Sequence, residues 1–255
     1  MKPPTPSDRL VVRERPTDKA ALMYQSWRNL LFLHWEYEVE AIQHTLPEGL
    51  QVDTFAGKAY IGLVPFFMQA VHPRYFPTIP GLSDFQELNV RTYVYDHRGV
   101  PGIWFYSLDA NQWLAVQAAR MIFYLPYFYA KMHAKINLDT GEINYLSQRS
   151  SVEASLTTHF RYRPIVGNAI QRAEPETLEF FLIERYVLFA YSNWSKRVFR
   201  ASVHHAPYPL VNVEADHSDK NMFILDGLSK PTGSYDHAIM SPGVDVEVFA
   251  LEPVT

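Results

Sequence analysis

The chain has 255 residues, of which 47% are hydrophobic and 20% are charged, which is enough apolar material for one large core. A net charge of −4 and an isoelectric point near 6.2 offer no basic surface for nucleic acid, which is therefore excluded as an expected partner. The lack of cysteine excludes disulfides, thiolate nucleophiles and thiolate metal sites.

Residues 1–17 are rich in proline and charge, and they predict a flexible N-terminal arm without the apolar segment of a signal peptide. Residues 18–255 contain no linker and predict a single domain. The longest uncharged apolar stretch, 59–71, is shorter than the roughly 20 residues that a membrane-spanning helix needs. We therefore expect a cytoplasmic protein with no membrane contact.

Aromatic residues make up 15% of the chain, which favours strands and apolar pockets over a helical bundle. The helical spacing of Trp113, Val116 and Phe123, closed by Pro126, predicts a central helix over 111–124. The other predicted helices cover 18–29, 38–44 and 175–184. The predicted strands cover 30–37, 50–54, 58–71, 85–96, 102–107, 127–138 with a hairpin return toward 149, 185–191, 197–205, 210–214 and 244–251. The sequence therefore predicts an α+β fold that is mainly antiparallel β.

Two predicted strands show the same alternation of side chains. Alternate residues of a strand face opposite sides of a sheet, so each strand has one aliphatic row and one row of rings and ionisable groups. The polar-aromatic rows are Phe85, Glu87, Asn89, Arg91, Tyr93 and Tyr95 in the first strand, and Tyr127, Tyr129, Lys131, His133 and Lys135 in the second. Two interpretations fit these rows: a solvent-facing side of an antiparallel sheet, or the wall of a small-molecule pocket inside a barrel.

Three segments carry a resemblance to a known family. They are residues 85–94 (FQELNVRTYV), residues 102–110 (GIWFYSLDA), and Ala119-Arg120 followed by Leu125-Pro126-Tyr127; the similarity extends from Trp27 through Pro65 and on to residues 205–210. The chain resembles the uncharacterised bacterial YqjF-like family, and more distantly the acetoacetate decarboxylase-like superfamily. The resemblance implies a cone-shaped antiparallel β-barrel with flanking helices and a ligand pocket inside the cone. Precedent in that superfamily favours a homo-oligomer.

The resemblance also implies where a catalytic lysine belongs. In the decarboxylase a lysine just after the proline that ends the central helix forms a Schiff base with a β-keto acid. Here Tyr127 and Phe128 follow Pro126, so that lysine is absent from its motif position. Lys131 is the nearest replacement, although it lies roughly 13 Å further along the strand. It is either a relocated catalytic lysine or an ordinary solvated one.

Glu87 stands where the resemblance implies an active-site carboxylate. Burial among aromatic rings would raise its pKa and suit it to acid–base chemistry, whereas an ion pair with Arg91 would keep it ionised. Arg91 would then be either a bidentate anchor for a substrate carboxylate or half of a structural salt bridge. The pocket hypothesis assigns the binding residues Arg91, Tyr93, Tyr127, Tyr129 and Trp104.

Histidines and arginines elsewhere offer weaker candidates. A zinc site would require distant residues such as His133, His159 and His205 to converge, because no two histidines show a metal-binding spacing. The alternating row His159, Arg161 and Arg163 fits either an anion site or an exposed basic edge strand. Nucleotide-binding and serine-hydrolase motifs are missing from the sequence, and we predict neither a cofactor nor a metal.

Two functions remain open from the sequence. The first is a lyase or related enzyme that acts on a small oxo acid or another carboxylated metabolite, with Glu87 as acid–base and Arg91 as anchor. The second is a non-catalytic module that binds a small molecule in a Tyr-rich cone. Both require a small-molecule ligand inside the predicted barrel.

Overall fold

A computed structural model of the protein describes residues 1–165, 167 and 169–254. The helices are α1 (Pro6–Val11), α2 (Val39–Gln43), α3 (Trp113–Phe123), α4 (Leu178–Ile183) and α5 (Asn221–Leu225), with a 3-10 turn at Ala154–Leu156. The strands are β1 (Met23–Tyr37), β2 (Leu50–Val52), β3 (Ala59–Pro73), β4 (Phe85–Asp96), β5 (Pro101–Ala110), β6 (Tyr127–Ile136), β7 (Ile143–Arg149), β8 (Thr158–Pro164), β9 (Val187–Ser192), β10 (Arg197–His205), β11 (Val213–Asp216), β12 (His237–Val248) and β13 (Glu252–Pro253). No helix in these residues is long and apolar enough to cross a bilayer.

Seven strands close into a ring. The pairing runs β5–β9–β10–β12–β1–β3–β4, and β4 pairs again with β5. All of these pairs are antiparallel except β5–β9. A closed ring leaves no unpaired edge between its members, as a barrel requires. The α+β, mainly antiparallel fold predicted from the sequence is confirmed.

The remaining long strands form a second layer outside the ring. β6 continues from β5 in parallel, and β7, β8 and β11 follow it in antiparallel order. Tyr145 and Phe160 of this layer pack in one cluster with Leu88 and Val90 of β4. The aliphatic row of β4 is therefore covered by the second layer, while its polar-aromatic row faces the inside of the ring.

Most of the predicted elements are confirmed, including the central helix α3 and the β6–β7 hairpin, which pairs Ala130 with Arg149. The predicted helix over 18–29 is wrong, because β1 begins at Met23. Met23 pairs with Val248 on one side and with Pro73 on the other. Hydrogen bonding to two neighbouring strands outweighs the weak local helix propensity of this segment.

The N-terminal arm contains a docked helix. Thr5 caps α1 in a reciprocal capping box with Asp8. The guanidinium of Arg9 binds both carboxylate oxygens of Asp53, at 2.6 and 2.8 Å. Arg185 binds the same carboxylate at 2.8 Å. Part of the segment that the sequence predicts as flexible is therefore held against the ring by a buried, bidentate ion pair.

Candidate active site

Strand pairing brings Glu87 and Tyr127 together inside the ring. Glu87 lies opposite Ala110 in the β4–β5 pair, and Leu108 of β5 lies opposite Tyr127 in the β5–β6 pair. The Tyr127 hydroxyl donates a hydrogen bond to Glu87 Oε2 at 2.9 Å. Asn89 donates a longer bond of 3.4 Å to Glu87 Oε1. A carboxyl group and a phenol that are 40 residues apart in the sequence are thus joined by a buried hydrogen bond.

Burial determines the protonation of this pair. Glu87 is only 2% exposed, and burial raises its pKa to about 7, although the hydrogen bonds from Tyr127 and Asn89 oppose the rise. Burial and the neighbouring Glu87 carboxylate raise the pKa of Tyr127 well above its ordinary value. Near neutral pH, Glu87 is therefore present in both forms, while Tyr127 keeps its proton.

Arg91 lies two residues further along the same row of β4. It is buried, and its guanidinium contacts the carbonyl oxygen of Leu182 at 3.3 Å and the ring of Phe32 at 5.3 Å. Its Nε has no hydrogen-bond partner in the described part of the chain. Among the same residues, no carboxylate lies within 4.0 Å of it, Glu87 included. Arg91 is thus a buried cation without an acidic partner, which is an uncommon and costly arrangement unless a ligand completes it.

A cavity of about 420 Å³ contains these groups. Every strand of the seven-membered ring contributes to its wall, together with α3 and the loop between β3 and β4. The wall is mostly apolar, with Trp27, Phe66 and Phe105 among its larger side chains. A concave, largely apolar site with a few convergent polar groups has the general form of a small-molecule site. The interpretation of the β4 row as a pocket wall is therefore the one that the geometry supports.

Charged groups of the wall are confined to the buried end of the cavity. Among the described residues, its only charged side chains are Glu87, Arg91 and Arg185, and each is at most 6% exposed. Arg185 is held by Asp53 and by the carbonyl oxygen of Phe181. We call the end formed by Glu87, Arg91, Arg185 and Tyr127 the floor of the cavity. Of its two arginines, Arg185 is paired with Asp53, whereas Arg91 has no carboxylate partner in the described part of the chain.

The structure contradicts the prediction for Tyr129 and Lys131. β6 lies outside the ring and pairs with β5 only over Tyr127–Tyr129, after which it continues along β7 in the second layer. The polar row beyond Tyr127 is exposed and does not line the cavity. Tyr129 is 40% exposed, and Lys131 is also exposed. Neither residue lines the cavity, and Lys131 does not reach Glu87 or Arg91 as a relocated catalytic lysine must.

Two further predicted binding residues lie outside the cavity wall. Strand alternation places Ile103 and Phe105 of β5 in the cavity and the intervening Trp104 on the opposite face. Tyr93 is fully buried, and its hydroxyl lies 2.7 Å from His34 Nε2. Its ring centroid is 5.7 Å from the Arg91 guanidinium. Tyr93 therefore packs against Arg91 and does not line the cavity.

Sequence reasoning missed several polar residues of the cavity wall, and Asn89, Arg185 and Tyr208 are three of them. Asn89 belongs to the same row as Glu87, and alternation alone identifies its position. Arg185 and Tyr208 also line the cavity, but they come from the segments before β9 and after β10. No local pattern could have placed them, because only the closure of the ring brings those segments beside β4.

A buried ion network supports the floor from the second layer. Arg149 Nε contacts Asp109 at 2.7 Å, and another nitrogen of the same guanidinium lies 2.7 Å from Asp226. Burial raises the pKa of Asp109 to about 7, although Arg149 opposes the rise. Asp109 also contributes to the raised pKa of Glu87. This network joins β5, the strand that aligns Glu87 with Tyr127, to β7 and to the residue that follows α5.

The histidine and arginine candidates are not brought together. His133 lies on the exposed row of β6 and His205 is buried in β10. Within residues 1–165, 167 and 169–254, no three His, Asp or Glu side chains converge as metal ligands do. The basic row of β8 is not at an edge, because β11 flanks it and supplies Asp216 for Arg161 and Glu214 for Arg163.

Comparison with known proteins places the chain in a family. The family model DUF2071, described as an uncharacterized conserved protein, matches residues 24–245. The chain belongs to the DUF2071 family. The chain is also similar to the uncharacterized protein YqjF of Bacillus subtilis strain 168, with 40% identity over 210 residues. The matched region covers 82% of this chain and 84% of YqjF. The YqjF-like relationship predicted from the sequence is confirmed.

Solved structures extend the relationship of this DUF2071 protein to a wider fold. The acetoacetate decarboxylase of Legionella pneumophila superposes with a TM-score of 0.62 at 11% identity, covering 98% of this chain and 96% of that one. The enduracididine biosynthesis enzyme MppR complexed with pyruvate gives 0.61 at 12% identity, covering 95% and 93%. At such identities the likeness shows the fold alone, and the acetoacetate decarboxylase-like placement is confirmed at that level.

Proposed function

We propose that this protein binds a small oxo acid in its internal cavity and transfers a proton at the carbon beside the ligand's carbonyl group. Glu87 serves as the base, Tyr127 stabilises the carbonyl oxygen, and Arg91 holds the carboxylate. The observation that carries the proposal is the buried hydrogen bond between Tyr127 and Glu87, on the floor of a cavity that also contains Arg91.

The proton-transfer step follows from the state of each group. Glu87 in its ionised form takes a proton from the carbon, and the electron pair of the broken C–H bond forms the enolate. Tyr127, whose raised pKa keeps it protonated, turns its single O–H from Glu87 to the enolate oxygen and donates a hydrogen bond where negative charge develops. A base with a pKa of about 7 suits this work at neutral pH, because it is both populated as carboxylate and basic enough to accept the proton.

Arg91 supports an acidic substrate. Its guanidinium is buried without a carboxylate partner, so a ligand carboxylate would supply the missing charge and hydrogen-bond acceptors. Pyruvate occupies MppR, a protein of the same fold, which is consistent with an oxo acid in this fold but does not determine the ligand here. The chemical requirement from this chain's own residues is an anionic group near Arg91 and a carbonyl near Tyr127.

The cavity argues against an imine mechanism for this chain. The decarboxylase resemblance implies a lysine after the proline, where Tyr127 stands, and a phenol cannot form an imine. Among the described residues that line the cavity there is no lysine. The proposed enolate therefore forms directly from the free carbonyl compound.

Proton exchange in deuterium oxide tests the proposal. The protein is incubated with 2-oxobutanoate, and loss of the C3 proton signal is followed by NMR. We expect exchange above the buffer rate, reduced roughly 10²- to 10⁴-fold by Glu87→Gln and also reduced by Tyr127→Phe. Tyr129→Phe is the matched control, because that phenol is outside the cavity, and it should exchange at the wild-type rate. Wild-type exchange by Glu87→Gln would remove Glu87 from the mechanism.

A non-catalytic binding module is the second candidate, and the largely apolar cavity wall favours it. In this case 2-oxobutanoate would raise the melting temperature of the protein and of Glu87→Gln alike. The wild-type protein would not exchange the C3 proton. This combination of results would replace the enzyme proposal with ligand binding alone.

A further inference from the structure

The cavity extends from the buried floor to the protein surface. Its opposite end is formed by Phe76 and Ile79 of the loop between β3 and β4, and by Leu114 and Ile122 of α3. These four side chains are between 49% and 64% exposed. We call this group the mouth. The floor and the mouth line the same cavity, so a ligand bound at Glu87 has a continuous path to solvent.

Charge and polarity change along this path. All charged groups of the described wall are buried at the floor, whereas no exposed lining residue of the mouth is charged. The rest of the wall is mostly apolar, with side chains such as Met68, Phe85 and Leu125, and its polar members, among them Gln25 and Gln112, are uncharged. A compact, fully polar acid bound at the floor would make no contact with the apolar channel, so the channel would contribute nothing to its binding.

The size of the cavity points in the same direction. One water molecule takes about 30 Å³ of the liquid, so a cavity of about 420 Å³ is far larger than a three- or four-carbon acid requires. The exposed mouth residues also leave apolar surface in contact with water, which is unfavourable unless a ligand or partner covers it. An apolar chain that runs from the floor to the mouth would fill the channel and cover part of that surface.

We propose that the ligand is an amphiphilic oxo acid whose carboxylate lies at Arg91 and whose alkyl chain occupies the channel toward the mouth. This inference rests on the proposed function for the position of the head group and adds the chain as the main source of affinity. Each methylene that moves from water into the channel should tighten binding about fourfold.

Isothermal titration of a chain-length series tests the inference, with 2-oxobutanoate, 2-oxohexanoate, 2-oxooctanoate and 2-oxodecanoate as ligands. We expect affinity to rise about fourfold per methylene and to level off once the chain reaches the mouth. Ala118→Trp fills the channel from an exposed position on α3 that lines it. This variant should weaken binding of 2-oxodecanoate at least tenfold and leave 2-oxobutanoate unchanged.

Met121→Trp is the matched control on the same helix. Met121 is 72% exposed and does not line the cavity. This substitution should therefore leave the affinities for 2-oxobutanoate and 2-oxodecanoate unchanged. Equal affinity along the series would overturn the inference, as would equal weakening of short and long acids by Ala118→Trp. Circular dichroism of both variants confirms that any loss of binding comes from a folded protein.

The titrations and the proton-exchange measurement separate this inference from the proposed function. If the protein exchanges the C3 proton of 2-oxobutanoate but binds all four acids with equal affinity, the proton-transfer proposal is supported and the inference of an amphiphilic ligand is overturned. Saturated fatty acids that bind with the same increment per methylene, in a protein that exchanges no oxo acid, support the apolar channel and overturn the proton transfer. Absence of binding at every chain length overturns both.

Discussion

β4 and β6 carry the same pattern of alternating polar-aromatic and aliphatic residues, yet β4 lines the cavity with four residues of its row, whereas β6 contributes only its first residue, Tyr127, within the described part of the chain. β4 is paired on both sides within the ring, so one row faces the interior and the other packs beneath the second layer. β6 touches the ring only at its first residues and then continues outside it. Alternation identifies which residues share a face, but strand pairing determines whether that face is enclosed.

The aliphatic rows give the largest expected difference between these strands. Leu88 is fully buried between the ring and the second layer, so Leu88→Ala should lower the free energy of unfolding by about 2–5 kcal/mol. Met132 occupies the corresponding row of β6 but is only partly buried, and Met132→Ala should cost less. Urea unfolding of both variants measures the difference. Equal losses would show that the two strands are equally enclosed.

Titration of Glu87 is the next expected effect, and it concerns stability. Its pKa is about 7 in the folded protein against an ordinary value of 4.5, so the folded state binds more protons than the unfolded state between these values. Unfolding free energy should therefore fall as pH rises from about 4.5 to 7, by on the order of 3 kcal/mol from this group. Glu87→Gln should show a flatter profile in urea unfolding at pH 5, 6, 7 and 8. Parallel profiles would mean that Glu87 does not titrate in this window.

One basic residue from each polar row, Arg91 in β4 and Lys131 in β6, gives a smaller effect, on ligand affinity. Arg91→Met removes a charged hydrogen-bond donor from the floor and should weaken binding of 2-oxobutanoate about 10- to 150-fold. Lys131→Met is the matched control on β6, and it should leave the dissociation constant unchanged because Lys131 is outside the cavity. Titration calorimetry measures both. If Lys131→Met weakened binding as strongly, the assignment of the two faces would be wrong.

Local sequence was sufficient for the parts of the fold that depend on one strand or helix. The alternation in β4 placed Glu87 and Arg91 on one face, and Pro126 marked the end of α3. It was insufficient where tertiary pairing decides, as in the first half of β1 and in the exposed row of β6. The contact between Tyr127 and Glu87 depends on the order β4–β5–β6, which no single segment encodes.

Distant segments complete the cavity wall for the same reason. Arg185 and Tyr208 reach the cavity because β9 and β10 close the ring between β5 and β12. Family resemblance supplied the expectation of a closed barrel, but it did not supply these two positions. A residue that reaches the cavity through ring closure can be assigned to the wall only when the strand order of the ring is known.

The ion pairs at Asp53 have a consequence for the order of folding. Arg9 is 44 positions before Asp53, and Arg185 is 132 positions after it. Contacts between residues so far apart form only after long loops have been closed, and the entropy of closure slows them. Arg9 of α1 also lies over the ring of Phe181, at 5.0 Å, so α1 acquires all of these contacts only when the segment that carries Phe181 and Arg185 has joined the ring. Helix α1 is therefore among the last elements to reach its native position.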